Sequence, residues 1–136
     1  MKYLVYGGGG TGGCLAAFLS MGGKEVSLIA RGAHLNAIQR QGLVLETGHG
    51  TFAIPVQTAD QEHTLEKPDV IFVCVKGYSL AGTLPTLKRL CDAHTIVVPL
   101  LNIYGTGGKL QPELTPALVT DGCIYIAAEI KAPGVI

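Results

Sequence analysis

The β-branched and aromatic run Lys2–Tyr6 passes into Gly7-Gly8-Gly9-Gly10-Thr11-Gly12-Gly13 and then into the small-residue stretch Cys14-Leu15-Ala16-Ala17-Phe18-Leu19. Along the chain this reads as strand, glycine turn, helix. The spacing Gly7-x-Gly9-x-x-Gly12 gives each glycine a separate mechanical task. The first permits a tight turn, the second lets backbone approach a pyrophosphate, and the third lets helix pack close on strand. The helix N-terminus behind the turn then presents free N–H groups to an anion. Gly8 and Gly10 fill positions where this pattern needs no glycine, and read as an added entropic cost of ordering the loop. A flexible connector is the competing reading of four glycines in a row, and the flanking strand and helix patterns disfavour it.

Other glycine-loop chemistries fail on spacing. No Gly-x-x-x-x-Gly-Lys occurs, which excludes a P-loop. A Tyr-x-x-x-Lys proton-transfer pair is also missing, because Tyr78, Tyr104 and Tyr125 are followed four positions later by Gly82, Gly108 and Glu129.

At 136 residues the chain reads as one domain, large enough to bury a core without staples. Its formal net charge of zero argues against nucleic acid or an anionic membrane surface as a partner. No apolar stretch approaches the roughly 20 residues that span a bilayer, and the run at 4–6 is too short for a signal peptide, so a soluble cytoplasmic protein is expected. Cys14, Cys74, Cys91 and Cys123 show no Cys-x-x-Cys spacing and read as buried thiols of a reducing compartment. His34, His49, His63 and His94 lack ligand spacing and fall at element ends, where they are expected to face solvent. Metal chemistry has no support in the pattern.

Farther along, the patterning predicts a strand over 25–30 and a helix over 33–40 capped by Gly42. A β-hairpin over 43–46 and 51–54 and a polar loop over 57–67 follow. The unbroken apolar run at 70–75 reads as a central parallel strand buried on both faces. A helix over 79–91, with Pro85 bending or splitting it, precedes a strand over 95–100. A glycine-rich loop at 102–108, a short helix at 109–114 and a last strand at 122–127 complete the series. Strands alternating with helices imply a doubly wound, mostly parallel, Rossmann-like α/β sheet with an inserted hairpin.

In such a fold the second strand ends beside the adenosine ribose of a bound dinucleotide. That point is Ala30-Arg31, about 20 residues past the glycine loop, as the pattern requires. An acidic residue there would pair with a 2′-hydroxyl, whereas Arg31 offers a planar fork of donors to a 2′-phosphate, so NADP(H) is favoured over NAD(H). Arg31 could otherwise simply solvate the strand end. Lys76 and Asn102 each follow a buried strand directly, at the carboxyl edge where open α/β sheets bind ligands. Spacing alone leaves them balanced between cleft residues and an ordinary solvated lysine and turn-forming asparagine.

With these residues in hand the chain resembles the ketopantoate reductase (2-dehydropantoate 2-reductase) family, in its N-terminal NADP-binding domain. The likeness covers essentially all 136 residues. It rests on Gly7 to Gly13, on Ala30-Arg31-Gly32-Ala33-His34-Leu35, on the hairpin region and on Asp69 to Tyr78 with Val75-Lys76. Leu101-Asn102, Ala127-Ala128-Glu129 and Ala132-Pro133-Gly134-Val135 complete the set. The resemblance implies hydride transfer from NADPH to the ketone of 2-dehydropantoate, in pantothenate biosynthesis. It implies that Gly7, Gly8, Gly9, Gly10, Thr11 and Gly12 cradle the pyrophosphate, and that Arg31 holds the 2′-phosphate. Lys76 and Asn102 would line the nicotinamide side, Asn102 also touching substrate, and Ala127 would approach the cofactor through its backbone. Family members commonly carry Asn-Gly where this chain has Asn102-Ile103. Their general-acid lysine and substrate-gripping groups belong to a helical C-terminal domain absent from these residues. No catalytic residue is therefore expected in this chain, which should lack turnover alone and self-associate through uncovered apolar surface. Two other readings remain open: a stand-alone NAD(P)-sensing module, and the cofactor domain of another 2-oxo acid or opine dehydrogenase.

Overall fold

The computed structural model describes residues 1–61 and 65–136; His63 and the middle of the predicted 57–67 loop lie outside the described residues. The first unit matches its pattern: β1 (Lys2–Tyr6), then α1 (Gly10–Met21), then β2 (Glu25–Ile29). Next come α2 (Gly32–Gln41) and the antiparallel hairpin of β3 (Leu43–Thr47) and β4 (Gly50–Ile54). Gly42 ends α2 at φ 82°, a conformation in which a side chain would be strained.

The 57–67 region is not wholly a loop. Gln57–Ala59 forms β5, which pairs in parallel with β2 at the sheet edge. Its three mostly polar residues carry too little period-two signal to announce a strand. β6 (Val70–Val73) and β7 (Ile96–Pro99) follow the predicted apolar runs. Burial along β6 alternates: Ile71 and Val73 are inaccessible, while Phe72 is half-buried and stacks on Tyr3 at 6.4 Å between ring centroids.

The helix predicted over 79–91 is split, with single 3-10 turns at Gly77–Ser79 and Ala81–Thr83 before α3 (Leu84–Leu90). Pro85 lies in the first turn of α3, where its missing N–H costs nothing, so it starts the helix instead of bending it. α4 (Thr106–Leu114) begins three residues earlier than its predicted start, after Gly105 turns the chain in the left-handed region at φ 74°.

The strand predicted at 122–127 does not form. β8 (Leu118–Val119) takes the edge position beside β7, and residues 122–127 pair with none of the described strands. Alternating apolar residues favour an extended backbone, but a strand also needs a free neighbour to bond.

The six-stranded sheet is parallel throughout, in the order β5-β2-β1-β6-β7-β8, which is the doubly wound arrangement with its switch point between β1 and β6. Each face carries its own core. Val5, Ala16, Ala17, Leu28, Ile38, Leu43 and Ile136 pack α1, α2 and the hairpin on one side. Leu4, Tyr6, Ile71, Val73, Leu87, Val97 and Leu114 pack α3 and α4 on the other. No described helix is long and apolar enough to cross a membrane.

Candidate coenzyme cleft

The glycine loop sits at the carboxyl end of β1, at the switch point. Gly7 takes φ 113°, and a side chain there would press on the Cys74 carbonyl group and Val75. Gly12 meets the loop so closely that an added Cβ would stand 2.0 Å from the Gly7 carbonyl oxygen. Gly9, the N-cap of α1, has nothing within 4 Å of its Cβ position, so its side of the loop is open. α1 has neither a side-chain cap nor an acidic residue in its first turn. The first intrahelical bond runs from the Gly13 amide to the Gly9 carbonyl at 2.7 Å, leaving the N–H groups before it for an anion.

The expectation that Gly8 and Gly10 need not be glycine is overturned by packing. A Cβ on Gly8 would lie 2.9 Å from Ala30 Cβ, and one on Gly10 would lie 2.2 Å from the Ala128 carbonyl oxygen. Gly13 is closed off in the same way by Ile136, at 2.0 Å. The constraints on Gly10 and Gly13 come from more than 100 positions away in sequence, and that on Gly8 from the end of the next strand, all beyond the reach of the local motif. They show that the chain after β8 runs back across the carboxyl edge of the sheet to α1. Ala128 is the residue against the loop; Ala127 beside it is exposed.

Arg31 is the exposed N-cap of α2, one residue beyond the Ala30 that touches Gly8. It forms no ion pair among the described residues. Lys76 and Asn102 are both exposed, at the ends of the neighbouring strands β6 and β7. Their turns touch: a Cβ on Gly77 would stand 2.4 Å from Ile103 Cδ1. Ile103 therefore fills the space above Gly77, which holds the Asn102 turn against the Lys76 turn. Thr106 Oγ1 fastens the same loop by donating to the Ile103 carbonyl at 2.7 Å.

Beneath the loop, burial pushes the Cys74 thiol up to about 12, which makes it a neutral packing group and no nucleophile. Cys14 is also buried, and Cys91, half-buried, is raised to about 11 with burial as the chief cause. Cys123, by contrast, is exposed, against the expectation of burial. The histidine expectation also divides. His49 and His94 face solvent, whereas His34 is half-buried, with Nδ1 accepting a hydrogen bond from the Gly134 amide at 2.9 Å. No group of three His, Cys, Asp or Glu residues that could hold a metal occurs among the described residues.

The arrangement has close relatives. The chain is 34% identical, over its whole length, to the 2-dehydropantoate 2-reductase of Mesorhizobium japonicum, of which it covers 48%. It superposes with a TM-score of 0.91 and 28% identity on the crystal structure of a PanE/ApbA family ketopantoate reductase from Ralstonia eutropha JMP134, covering 99% of this chain and 45% of that one. A ternary structure of D-mandelate dehydrogenase with NADH and anilino(oxo)acetate shares the fold at a TM-score of 0.92 and 24% identity, over 99% of this chain and 44% of that one. The chain thus spans about half the length of the curated relatives it matches. The family model described as ketopantoate reductase PanE/ApbA matches residues 3–136. On a match of that extent, joined to a glycine loop at the switch point of a parallel sheet, the chain belongs to the ketopantoate reductase PanE/ApbA family.

Proposed function

We propose that residues 1–136 form the NADPH-binding domain of a 2-dehydropantoate 2-reductase, the family's hydride transfer to the ketone of a 2-oxo acid in pantothenate biosynthesis. One juxtaposition carries the reading. The open N-terminus of α1 at Gly9 stands beside Gly8, which packs on Ala30, and Arg31 follows immediately at the start of α2. Gly7 through Gly12, with Thr11, would hold the diphosphate through backbone N–H groups. Arg31 would hold the 2′-phosphate through its paired donors. Lys76 and Asn102 would line the nicotinamide side, with Asn102 also reaching substrate, and backbone at Ala127 or its neighbour Ala128 would close the cleft at Gly10.

NADPH, when bound, supplies the hydride. The alkoxide that develops on the ketone must meet a proton donor within roughly 3 Å. Lys76 follows β6 at the carboxyl edge of the sheet, and the proposal assigns it to the coenzyme. Turnover is therefore expected to be undetectable with the 136-residue chain alone. The four free thiols fit a reducing, cytoplasmic setting.

The deciding experiment is a titration of NADPH and NADH into the wild type and Arg31→Ala. The wild type should prefer NADPH by at least about tenfold, the scale of one charge-assisted contact. Arg31→Ala should erase the preference and leave NADH binding unchanged. Equal affinity for both coenzymes, untouched by the substitution, would remove the role of Arg31. That outcome would favour the second reading, a 2-oxo acid dehydrogenase using NADH, which the shared fold with D-mandelate dehydrogenase keeps in view.

A further inference from the structure

The ladder between β6 and β7 ends at Val73 and Pro99, and the last bond across it runs from the Leu100 amide to the Val73 carbonyl at 2.8 Å. Lys76 stands three residues past Val73, and Asn102 three residues past Pro99. No hydrogen bond joins these two turns among the described residues. What crosses between them is the Ile103 side chain, whose Cδ1 lies over Gly77.

Gly77 is the residue that admits this contact. Its φ is not positive, and it opens a 3-10 turn that other residues could open, so the turn by itself does not require glycine. Ile103 requires it. A Cβ on Gly77 would stand 2.4 Å from Ile103 Cδ1, an overlap, but 3.8 Å from Cγ1, an ordinary contact. Both ends of the contact are anchored. The Ile103 carbonyl accepts from Thr106 Oγ1 at 2.7 Å, and Thr106 is buried in the first turn of α4. On the other side the Lys76 carbonyl accepts from the Ser79 amide at 2.8 Å, and the Gly77 carbonyl from the Leu80 amide at 3.2 Å. A β-branched side chain is stiff at χ1, so Ile103 passes on the position of its own backbone instead of swivelling.

We propose that Ile103 is a positioning residue for the nicotinamide end of the cleft: seated over Gly77, it sets the spacing between the Lys76 and Asn102 turns and so places both polar side chains on the nicotinamide together. This rests on the coenzyme reading above, and it adds a size-matched pair, a large side chain at 103 and none at 77, on which that reading does not depend. The glycine loop and Arg31 stand at the ends of β1 and β2, across the switch point from β6 and β7. The pair should therefore act on the nicotinamide and leave the phosphate contacts alone.

The test titrates NADPH and 2′-phospho-ADP-ribose, which lacks the nicotinamide, into wild type, Ile103→Val, Gly77→Ala and the two substitutions combined, with thermal melts alongside. Ile103→Val deletes Cδ1 alone and should weaken NADPH by about threefold. Gly77→Ala drives a methyl group against Cδ1 and should weaken NADPH by about tenfold. In the combined variant the new methyl group meets the remaining Cγ1 at 3.8 Å. NADPH affinity should then return to within about twofold of wild type, because the two substitutions share one contact and do not add. 2′-Phospho-ADP-ribose should bind all four proteins alike, a split that a general loss of fold would not produce. Single variants that weaken both ligands equally, or neither, overturn the proposal, as does a combined variant that binds NADPH no better than Gly77→Ala. Should Gly77→Ala fail to fold, Ile103→Val decides alone, since wild-type NADPH affinity without Cδ1 overturns the proposal too. A wild type that takes up neither ligand defeats the coenzyme reading and this role with it, whereas uptake of both with no split defeats the positioning role alone.

Discussion

At the scale of single residues, the glycines of the first loop do two kinds of work that substitution separates. Gly9 has open space at its Cβ position and an extended backbone at φ −71°, so alanine fits there. A Cβ added at Gly12 would stand 2.0 Å from the Gly7 carbonyl oxygen, which cannot step aside. Gly9→Ala should cost at most about 1 kcal/mol of stability, the scale of an N-cap change, yet abolish detectable NADPH binding by placing a methyl group where the diphosphate approaches. Gly12→Ala should instead cost about 1–3 kcal/mol through overpacking and lower the melting temperature before any ligand is added. Denaturant melts paired with a coenzyme titration check both, and a stable Gly12→Ala variant would contradict the packing assignment. The turn at Gly7 and the close packing at Gly12 were legible in the spacing because they arise within one strand-turn-helix unit. The constraints on Gly8, Gly10 and Gly13 were not, because Ala30, Ala128 and Ile136 impose them through the tertiary fold. His34 was misread for the same reason: its partner, Gly134, is 100 positions distant.

Among the elements, what the sequence made legible tracks how much pattern each carries. β1, β2, β6, β7 and the hairpin combine apolar or alternating runs with turn signals at their ends, and all occur. β5 and β8 hold three and two residues, and their neighbours in the sheet define them more than their own composition does. The hairpin is also bonded by a terminal segment that no strand pattern announced. Val135 bridges Val44 in parallel, and backbone bonds join Gly134 and Ile136 to Val44 and Glu46. Lys131 and Glu46 add an ion pair at the same edge, exposed and of small value. Three backbone bonds and the buried Ile136 side chain together stabilise this edge by about 2–4 kcal/mol. Removing residues 133–136 should lower stability by that amount. Amide exchange at Val44 and Glu46 should rise toward that of exposed loops, while the β1 and β6 amides stay the slowest in the chain. Unchanged exchange at Val44 would mean that the terminal segment adds nothing to the hairpin.

For the molecule as a whole, strand order and alternation were readable because a parallel sheet with helical crossovers admits few topologies. The state of its carboxyl edge was not, since exposure there depends on what covers the finished sheet. Tyr104 is fully exposed, Tyr125 is 98% exposed and Tyr78 is 88% exposed, and Ile103 lies among the same turns. Tyr78, Ile103 and Tyr104 lie on the two turns that touch at Gly77, and exposed apolar surface of this kind drives association. With zero formal charge there is little long-range repulsion to oppose it. Sedimentation velocity on the 136-residue chain should therefore show a weight-average mass that rises with concentration. Tyr104→Ser combined with Tyr125→Ser should return it toward the monomer without lowering the melting temperature, since neither ring packs in a core. Salt discriminates the cause: apolar association persists or strengthens when ionic strength rises, whereas an ion-paired interface weakens over the same range. A monomer at the highest concentration reached, in low and high salt alike, would show that this edge does not drive self-association.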